Sequence, residues 1–286
     1  MRANLRKWVD STRANPTQHI KRILTEILLI TVSKNPQLRE GMYLKGGLLM
    51  GLGYHSERAT VDIDFTAHVS DPAAFHNLIN TGLNRALQKT INLLGYMDYG
   101  CRVQSIKKRP ANRWPGGSEL ALKISIGIAK KNTNEHKRLL KGQCTTTVRI
   151  DLSFYEETSA PEEMTIDDSS IYVYGIHDLV SEKMRALLQA STRHGRNRRQ
   201  DVFDIAWVLD QRQFTDEDRQ KILDLLQLKS KSRGITPTKQ SMGDPEVKSM
   251  AQKKWHTLKM EIGELPDFEP LFEKVAKFYN ELPWKQ

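Results

Sequence analysis

The chain has 286 residues, with 44 Lys and Arg against 34 Asp and Glu, and its formal net charge of +10 points to a polyanionic partner. Hydrophobic residues at 38%, with 17 Gly and 11 Pro, exclude collagen-like repeats and wholesale disorder, and the length suits one large domain or two modest ones. The two cysteines, Cys101 and Cys144, lack CxxC spacing, which argues against a thiolate zinc site, leaves no need for disulfides and fits a reduced, cytoplasmic protein.

Over residues 17–33, Ile20, Ile23, Leu24, Ile27, Leu28 and Ile30 recur at helical spacing, which predicts an amphipathic helix with Thr17 as its N-cap after Pro16. Its apolar run falls short of the roughly 20 residues of a membrane span, and no export signal is read. Residues 42–44 read as a short strand running into Lys45-Gly46-Gly47, and residues 48–54 as the helix that follows: strand, glycine turn, helix. Residues 61–65 alternate, with Val61, Ile63 and Phe65 on one strand face and Thr60, Asp62 and Asp64 on the other. After Asp71-Pro72, residues 73–94 carry Phe75, Leu78, Ile79, Leu83, Ala86, Leu87 and Ile91 as the apolar stripe of a helix that Gly95 stops. Strands are expected near 102–106, 120–128 and 145–154, separated by basic loops holding Lys107, Lys108, Arg109, Arg113, Lys130, Lys131, Lys137 and Arg138. This is a mixed α/β first domain, residues 1–174. From Gly175 the pattern is helical, over 176–190, 201–211, 216–228, 245–262 and 268–282, giving an all-helical second domain, residues 175–286. Residues 229–243, rich in Lys, Ser, Gly and Pro, read as a mobile connection.

Several of these residues can carry chemistry together. Asp62 and Asp64 stand about 7 Å apart on one strand face, close enough to share a divalent cation. Gly46-Gly47 between strand and helix lets backbone N–H groups approach a phosphate at a helix N-terminus. Asp151, alternating with Ile150 and Leu152, offers a third carboxylate able to activate an attacking hydroxyl if its strand lies beside that of Asp62. Taken singly, each has an ordinary reading: a solvated strand face, a plain turn, a surface aspartate beside Arg149. Lys183 is equally a solvated lysine, and Asp201 and Asp204, three apart, equally a polar helix face opposite Val202, Ile205, Ala206 and Leu209. Between these helices Arg193, His194, Arg196, Arg198 and Arg199 form a dense basic segment that could hold RNA phosphates or balance nearby acids. The tryptophans read as packing residues, with Trp114 the candidate for an exposed stacking platform.

In combination, Lys45-Gly46-Gly47, the run Arg58-Ala59-Thr60-Val61-Asp62-Ile63-Asp64-Phe65, Ser181-Glu182-Lys183-Met184-Arg185-Ala186, and Arg199-Gln200-Asp201-Val202-Phe203-Asp204 resemble the four motifs of the AbiEii/AbiGii toxin family of nucleotidyltransferases, which includes the MenT toxins. The resemblance spans roughly residues 40–210. It implies a DNA polymerase beta-like nucleotidyltransferase fold, an α/β (α+β) mixed sheet with helices, followed by a helical C-terminal half. It also implies a toxin of a toxin–antitoxin or phage-defence system that moves a nucleotide from an NTP to an acceptor, chiefly the 3′ end of tRNA, with Mg2+ and release of pyrophosphate. Carried over, Gly46, Gly47, Thr60 and, more weakly, Lys45 are nucleotide-binding. Asp62 and Asp64 bind magnesium, Lys183 neutralises triphosphate charge, and Asp201 is the polar residue of the last motif with Asp204 beside it at the nucleotide. Arg193, Arg196, Arg198 and Arg199 are the RNA-binding candidates, and a cognate antitoxin is an expected partner while a membrane is not. Two departures stand out: Gly47 and Leu48 offer no hydroxyl where many members of the wider superfamily have a Ser, and fourteen residues separate Gly47 from Asp62. Two other functions remain open on the sequence: transfer to a protein hydroxyl or a small molecule, and a non-catalytic RNA-binding module.

Overall fold

The computed structural model describes residues 1–60, 62–115, 120–192 and 198–284. The chain divides into two compact units, the first comprising Met1–Leu49, Thr60–Glu156 and Pro161–Val173, the second Met50–Ala59, Glu157–Ala160 and Tyr174–Gln286.

Among the described residues, unit 1 holds an eight-stranded mixed sheet. Its strands are β1 (Arg2–Ala3), β2 (Met42–Lys45), β3 (Asp62–Ala67), β4 (Tyr99–Arg109), β5 (Ala121–Lys130), β6 (Thr147–Phe154), β7 (Glu162–Ile166) and β8 (Ser169–Val173), in the spatial order β1-β7-β8-β2-β3-β6-β5-β4. Central β3 lies antiparallel to β2 and parallel to β6, while β4, β5 and β6 form an antiparallel run. The helices are α1 (Leu5–Asp10), α2 (Pro16–Lys34), α3 (Pro36–Gly41), α4 (Gly46–Gly53), α5 (Pro72–Leu93) and α6 (Asn134–Leu140), α4 passing from unit 1 into unit 2 at Met50. Period-two alternation buries Ile63 and Phe65 of β3, Ile124 of β5, and Ile150 and Leu152 of β6, and α2 packs on β5, β6 and β8. The opposite parity turns Asp62, Asp64, Arg149, Asp151 and Lys123 to one polar face.

The N-cap of α2 is Asn15, not Thr17: its side chain accepts from the Gln18 N–H at 3.1 Å, and Pro16 takes the first helical position, where no N–H is needed. From Ile23 to Ser33 every residue is buried, so this helix is central rather than one-sided. Asp71 caps α5 through the N–H groups of Ala73 and Ala74, and Gly95, at φ +75°, follows its end. The expected basic loops are largely regular structure: Lys107, Lys108 and Arg109 end β4, Lys130 ends β5, and Lys137 and Arg138 lie on α6. Val61, expected to open β3, lies outside the described residues.

Unit 2 carries α7 (Ile176–Thr192), α8 (Arg199–Gln211), α9 (Asp216–Lys231), α10 (Pro245–Gln252), α11 (Lys259–Ile262) and α12 (Phe268–Asn280), with no strand among its described residues. α7 packs on α8, α9 and α10, and α12 on α8, around Met184, Leu187, Val202, Ile205, Ile222, Leu226 and Val275. Thr215 and Asp218 form a reciprocal capping box at α9, where Asp218 also meets His177 at 2.6 Å, so His177 is structural. The segment read as one helix over 245–262 breaks at Lys254, whose φ is +61°, yet Val247, Ala251, Trp255 and Leu258 keep a spacing that buries all four. Residues 229–243 begin inside α9: Lys229 is buried, its ammonium 2.9 Å from Asp178 and 2.6 Å from the Glu157 carbonyl, and Met242 is buried too. Ion pairing and apolar burial anchor what composition alone marked as loose. Among the described residues, no helix is long and apolar enough to cross a membrane.

Candidate active site

The polar face of unit 1 starts at the junction of β2 and α4. Gly46 has φ +68°, a conformation that L side chains rarely adopt, and a Cβ built there would stand 2.2 Å from Asp64 Oδ2. Glycine is therefore required twice, by backbone angle and by space, and the second reason brings the turn directly against the central carboxylate. α4 begins at Gly46 itself, so the N–H groups of Gly46, Gly47 and Leu48 belong to its first turn, where helix geometry provides no intrahelical acceptor.

Register builds the rest of the face. Asp64 of β3 is flanked by Lys45 on β2 and by Asp151 on β6, and Asp62 by Arg149 on β6. Lys123 of β5 pairs with Asp151 in turn. The strand of Asp151 does lie beside that of Asp62, with Asp151 opposite Asp64, but a convergent three-carboxylate cluster is not formed: among the described residues no three His, Cys, Asp or Glu side chains are grouped to hold a metal ion. Asp62 instead accepts from Arg149 Nε at 3.0 Å and Asp151 from Lys123 Nζ at 2.7 Å. All four side chains are largely exposed, from 41% for Asp151 to 72% for Arg149, so each pair is worth about 0.2–1 kcal/mol and yields readily to a stronger ligand. Two hard carboxylates on one strand face beside a glycine turn fit magnesium, which is held by one or two carboxylates while substrate phosphates and water complete its shell.

Two neighbours differ from expectation. Lys45 is buried and its ammonium pairs with Glu156, a carboxylate of the same unit that also accepts from the Thr66 hydroxyl. The Thr60 hydroxyl reaches the Asp62 carbonyl only at 3.5 Å, too long to fix it.

Unit 2 contains a second charged cluster, and it is buried. Arg58 grips Asp204 with two parallel hydrogen bonds of 2.9 Å, from Nε and Nη2, and Lys183 Nζ reaches the same carboxylate at 2.6 Å. Lys183 also reaches Asp201 at 3.3 Å. Arg58 and Arg199 both bind Glu261, at 3.2 and 2.9 Å, and Gln200 donates to it at 2.7 Å. Burial alone would lower the Lys183 ammonium and raise the Asp204 carboxyl. The opposite charges overturn it: Asp204 and Asp201 leave Lys183 raised, and Lys183 and Arg58 leave Asp204 lowered. Both stay charged. Lys183 is thus not a solvated lysine, and Asp204, fully buried, holds Lys183 and Arg58. Arg58, Glu261 and Glu156 are charged partners that spacing did not single out. Arg58 stands in a quoted motif, but nothing local marks a partner 146 residues on.

Of the basic segment, Arg198 lies 3.5 Å from Asp201 and Arg199 is bound to Glu261, so both are tied into this cluster. Arg193 and Arg196 lie outside the described residues. Trp114 packs edge-on against Phe154 with Lys108 over its ring, which makes it chiefly a packing residue.

The family described as nucleotidyl transferase AbiEii toxin, type IV TA system, matches residues 28–277. The fold is similar to that of MenT4, a nucleotidyltransferase toxin of Mycobacterium tuberculosis, with TM-score 0.56 and 11% identity over 97% of this chain and 89% of that one. It is also similar to JHP933 of Helicobacter pylori, with TM-score 0.52 and 14% identity over 92% of this chain and 90% of that one. Comparison with curated protein sequences finds no match.

Proposed function

We propose, because the chain belongs to the AbiEii family of nucleotidyl transferase toxins of type IV toxin–antitoxin systems, that it transfers a nucleoside monophosphate from an NTP to the 3′ hydroxyl of an RNA, with tRNA as the acceptor and a cognate antitoxin restraining it. The observation that carries this reading is the packing of Gly46 against Asp64, with Asp62 on the same strand face and Asp151 adjacent in register.

The roles follow from chemistry. The N–H groups of Gly46 and Gly47, at the start of α4, receive the triphosphate. Asp62 and Asp64 hold magnesium, which when bound would neutralise charge developing on the transferred phosphoryl group. Asp151 accepts the proton of the acceptor hydroxyl as the new bond from the 3′ oxygen to the α-phosphorus forms; the bond from the α-phosphorus to the bridging oxygen breaks and pyrophosphate leaves. Lys123 Nζ, 2.7 Å from Asp151 Oδ2, orients that carboxylate until substrate arrives. Lys183 is the cation assigned to triphosphate charge, with Asp204 and Asp201 positioning it, and Arg58 fixes Asp204 in turn. Thr60 and, more weakly, Lys45 are assigned to the nucleotide, and Arg193, Arg196, Arg198 and Arg199 to the RNA backbone. The catalytic domain is assigned to residues 1–174 and the helical domain to 175–286. Positioning and electrostatics carry most of the rate.

The test is incubation with each labelled NTP, magnesium and total RNA. Label on RNA that disappears in Asp62→Ala supports the reading. Label on protein alone, or RNA label that survives Asp62→Ala, overturns it.

A further inference from the structure

We infer that the polar face of β4, β5 and β6 is a track for a polynucleotide strand, with Lys107, Arg109, Lys123 and Arg149 holding its phosphates. The inference deepens the transfer reading above and rests on it for the identity of the acceptor as RNA.

Register fixes the face. Lys107 pairs with Lys123 and Arg109 with Ala121 across β4 and β5, while Lys123 pairs with Asp151 and Ser125 with Arg149 across β5 and β6. Directly paired residues project to the same side of a sheet, so all four cations share the side that carries Asp62 and Asp64. Between them stand Ser105, Ala121, Ser125 and Ser153, side chains too short to obstruct a chain laid across the strands. Charge is sorted along the face: the carboxylates lie on β3 and β6, and on β4 and β5 the same parity presents Ser105, Lys107, Arg109, Ala121, Lys123 and Ser125, with no carboxylate. Strand spacing of about 4.8 Å puts Lys123 one step and Lys107 two steps from Asp151.

This pattern matches a strand that leaves the carboxylates with one negative charge on every residue. A polypeptide acceptor has no such regular charge. Lys107 and Arg109 are exposed, and the pairs that hold Lys123 and Arg149 are exposed and weak, so each cation can take a phosphate at little cost. None of the four belongs to the glycine turn or to the metal-binding pair.

The test uses the full chain carrying Lys107→Ala with Arg109→Ala, and reads the anisotropy of a short fluorescent oligoribonucleotide across a salt series. Each phosphate contact on a single strand contributes about 0.7 to the slope of log affinity against log salt, so the double variant should lose about 1.4. Lys107→Arg with Arg109→Lys should keep the wild-type slope, and the thermal shift given by NTP should be the same in all three proteins. A DNA oligomer of the same sequence losing the same slope assigns the contacts to phosphate; a loss confined to RNA assigns them to the ribose as well. An unchanged slope in the double alanine variant, or no oligonucleotide binding by the wild type, overturns the track. If the double variant still labels RNA with wild-type affinity, the track fails and the transfer reading stands. If the wild type binds RNA through these residues yet labels none, the transfer reading fails and the track stands.

Discussion

Gly46→Ala is the substitution with the sharpest consequence. The new Cβ must move from 2.2 Å to the 3.4 Å of ordinary van der Waals contact with Asp64 Oδ2, a shift of 3.4 − 2.2 = 1.2 Å. The backbone, at φ +68°, also becomes strained for an L side chain, by roughly 1–2 kcal/mol. At about 2–4 °C per kcal/mol for a chain of this size, the melting temperature should fall by about 2–8 °C. Activity should fall further than stability, because displacing the carboxylate proposed to hold magnesium by about 1 Å costs on the order of 100-fold in rate. The control is Gly51→Ala in the same helix, whose Cβ would meet only the Ser56 carbonyl at 3.8 Å; it should gain about 0.5–1 kcal/mol and keep its rate. Differential scanning calorimetry and single-turnover labelling of RNA, run on both variants, read the two effects separately. If Gly46→Ala melts and labels like the wild type, the close approach of turn and carboxylate is wrong, and the assignment of Asp64 loses its main support.

Three further outcomes follow from the same geometry. Asp62→Ala removes a half-exposed carboxylate held by an exposed pair, so it should leave stability within about 0.5 kcal/mol of wild type while abolishing transfer; a large loss of stability in urea unfolding would contradict the exposed placement. Asp204→Ala strands Arg58 and Lys183 without their shared buried partner and should cost about 3–5 kcal/mol, a prediction refuted by a denaturation midpoint that hardly moves. Asp218, lowered to about 2 by the hydrogen bond from His177 and by the Thr215 N–H, is depressed below its unfolded value of about 3.9. Its contribution is present above pH ~4 and lost as pH falls toward 2. In Asp218→Asn that increment is absent, so the stability gap between variant and wild type should close over this window, and a gap that stays constant down to pH 2 would refute the pairing.

Much of the fold was legible because its elements announce themselves locally. The alternation of Ile63 and Phe65 against Asp62 and Asp64, and the stripe from Phe75 to Ile91, are periodic over enough residues to fix both element and buried face. β7 and β8 escaped because each buries only two side chains, Met164 and Ile166 and then Ile171 and Val173, among acidic and hydroxyl residues whose composition suggests a loop. Asp167, at φ +48° between them, is the turn signal that could have revealed the hairpin. In the site, Gly46, Asp62 and Asp64 could be found because their spacing is short. The partners that decide charge could not: Arg58 meets Asp204, and Lys45 meets Glu156, across separations no periodicity encodes. Asp204 is the instructive case. Its three-residue spacing from Asp201 does put both on one helix face, but that face packs on Lys183 and Arg58, which take the place of water around the Asp204 carboxylate.

The two charged clusters are built for opposite purposes, and their burial is the argument. In unit 2 the carboxylates and cations are withdrawn from water, where removing one member strands another at a cost of several kcal/mol; such a network fixes Lys183 in one place and one charge state. In unit 1 the pairs Asp62–Arg149 and Asp151–Lys123 are exposed, individually worth about 1 kcal/mol or less. On the proposed reading, a divalent cation held by Asp62 and Asp64 would compete with a single guanidinium, and with Asp62 so engaged Arg149 would be left as an exposed cation on a face that already carries Lys123, Lys107 and Arg109. Metal at the carboxylates would therefore raise the positive charge open to an incoming polynucleotide. RNA affinity should accordingly rise when magnesium or manganese is added to the wild type and should lose that increment in Asp62→Ala, in which Arg149 has no carboxylate to be released from.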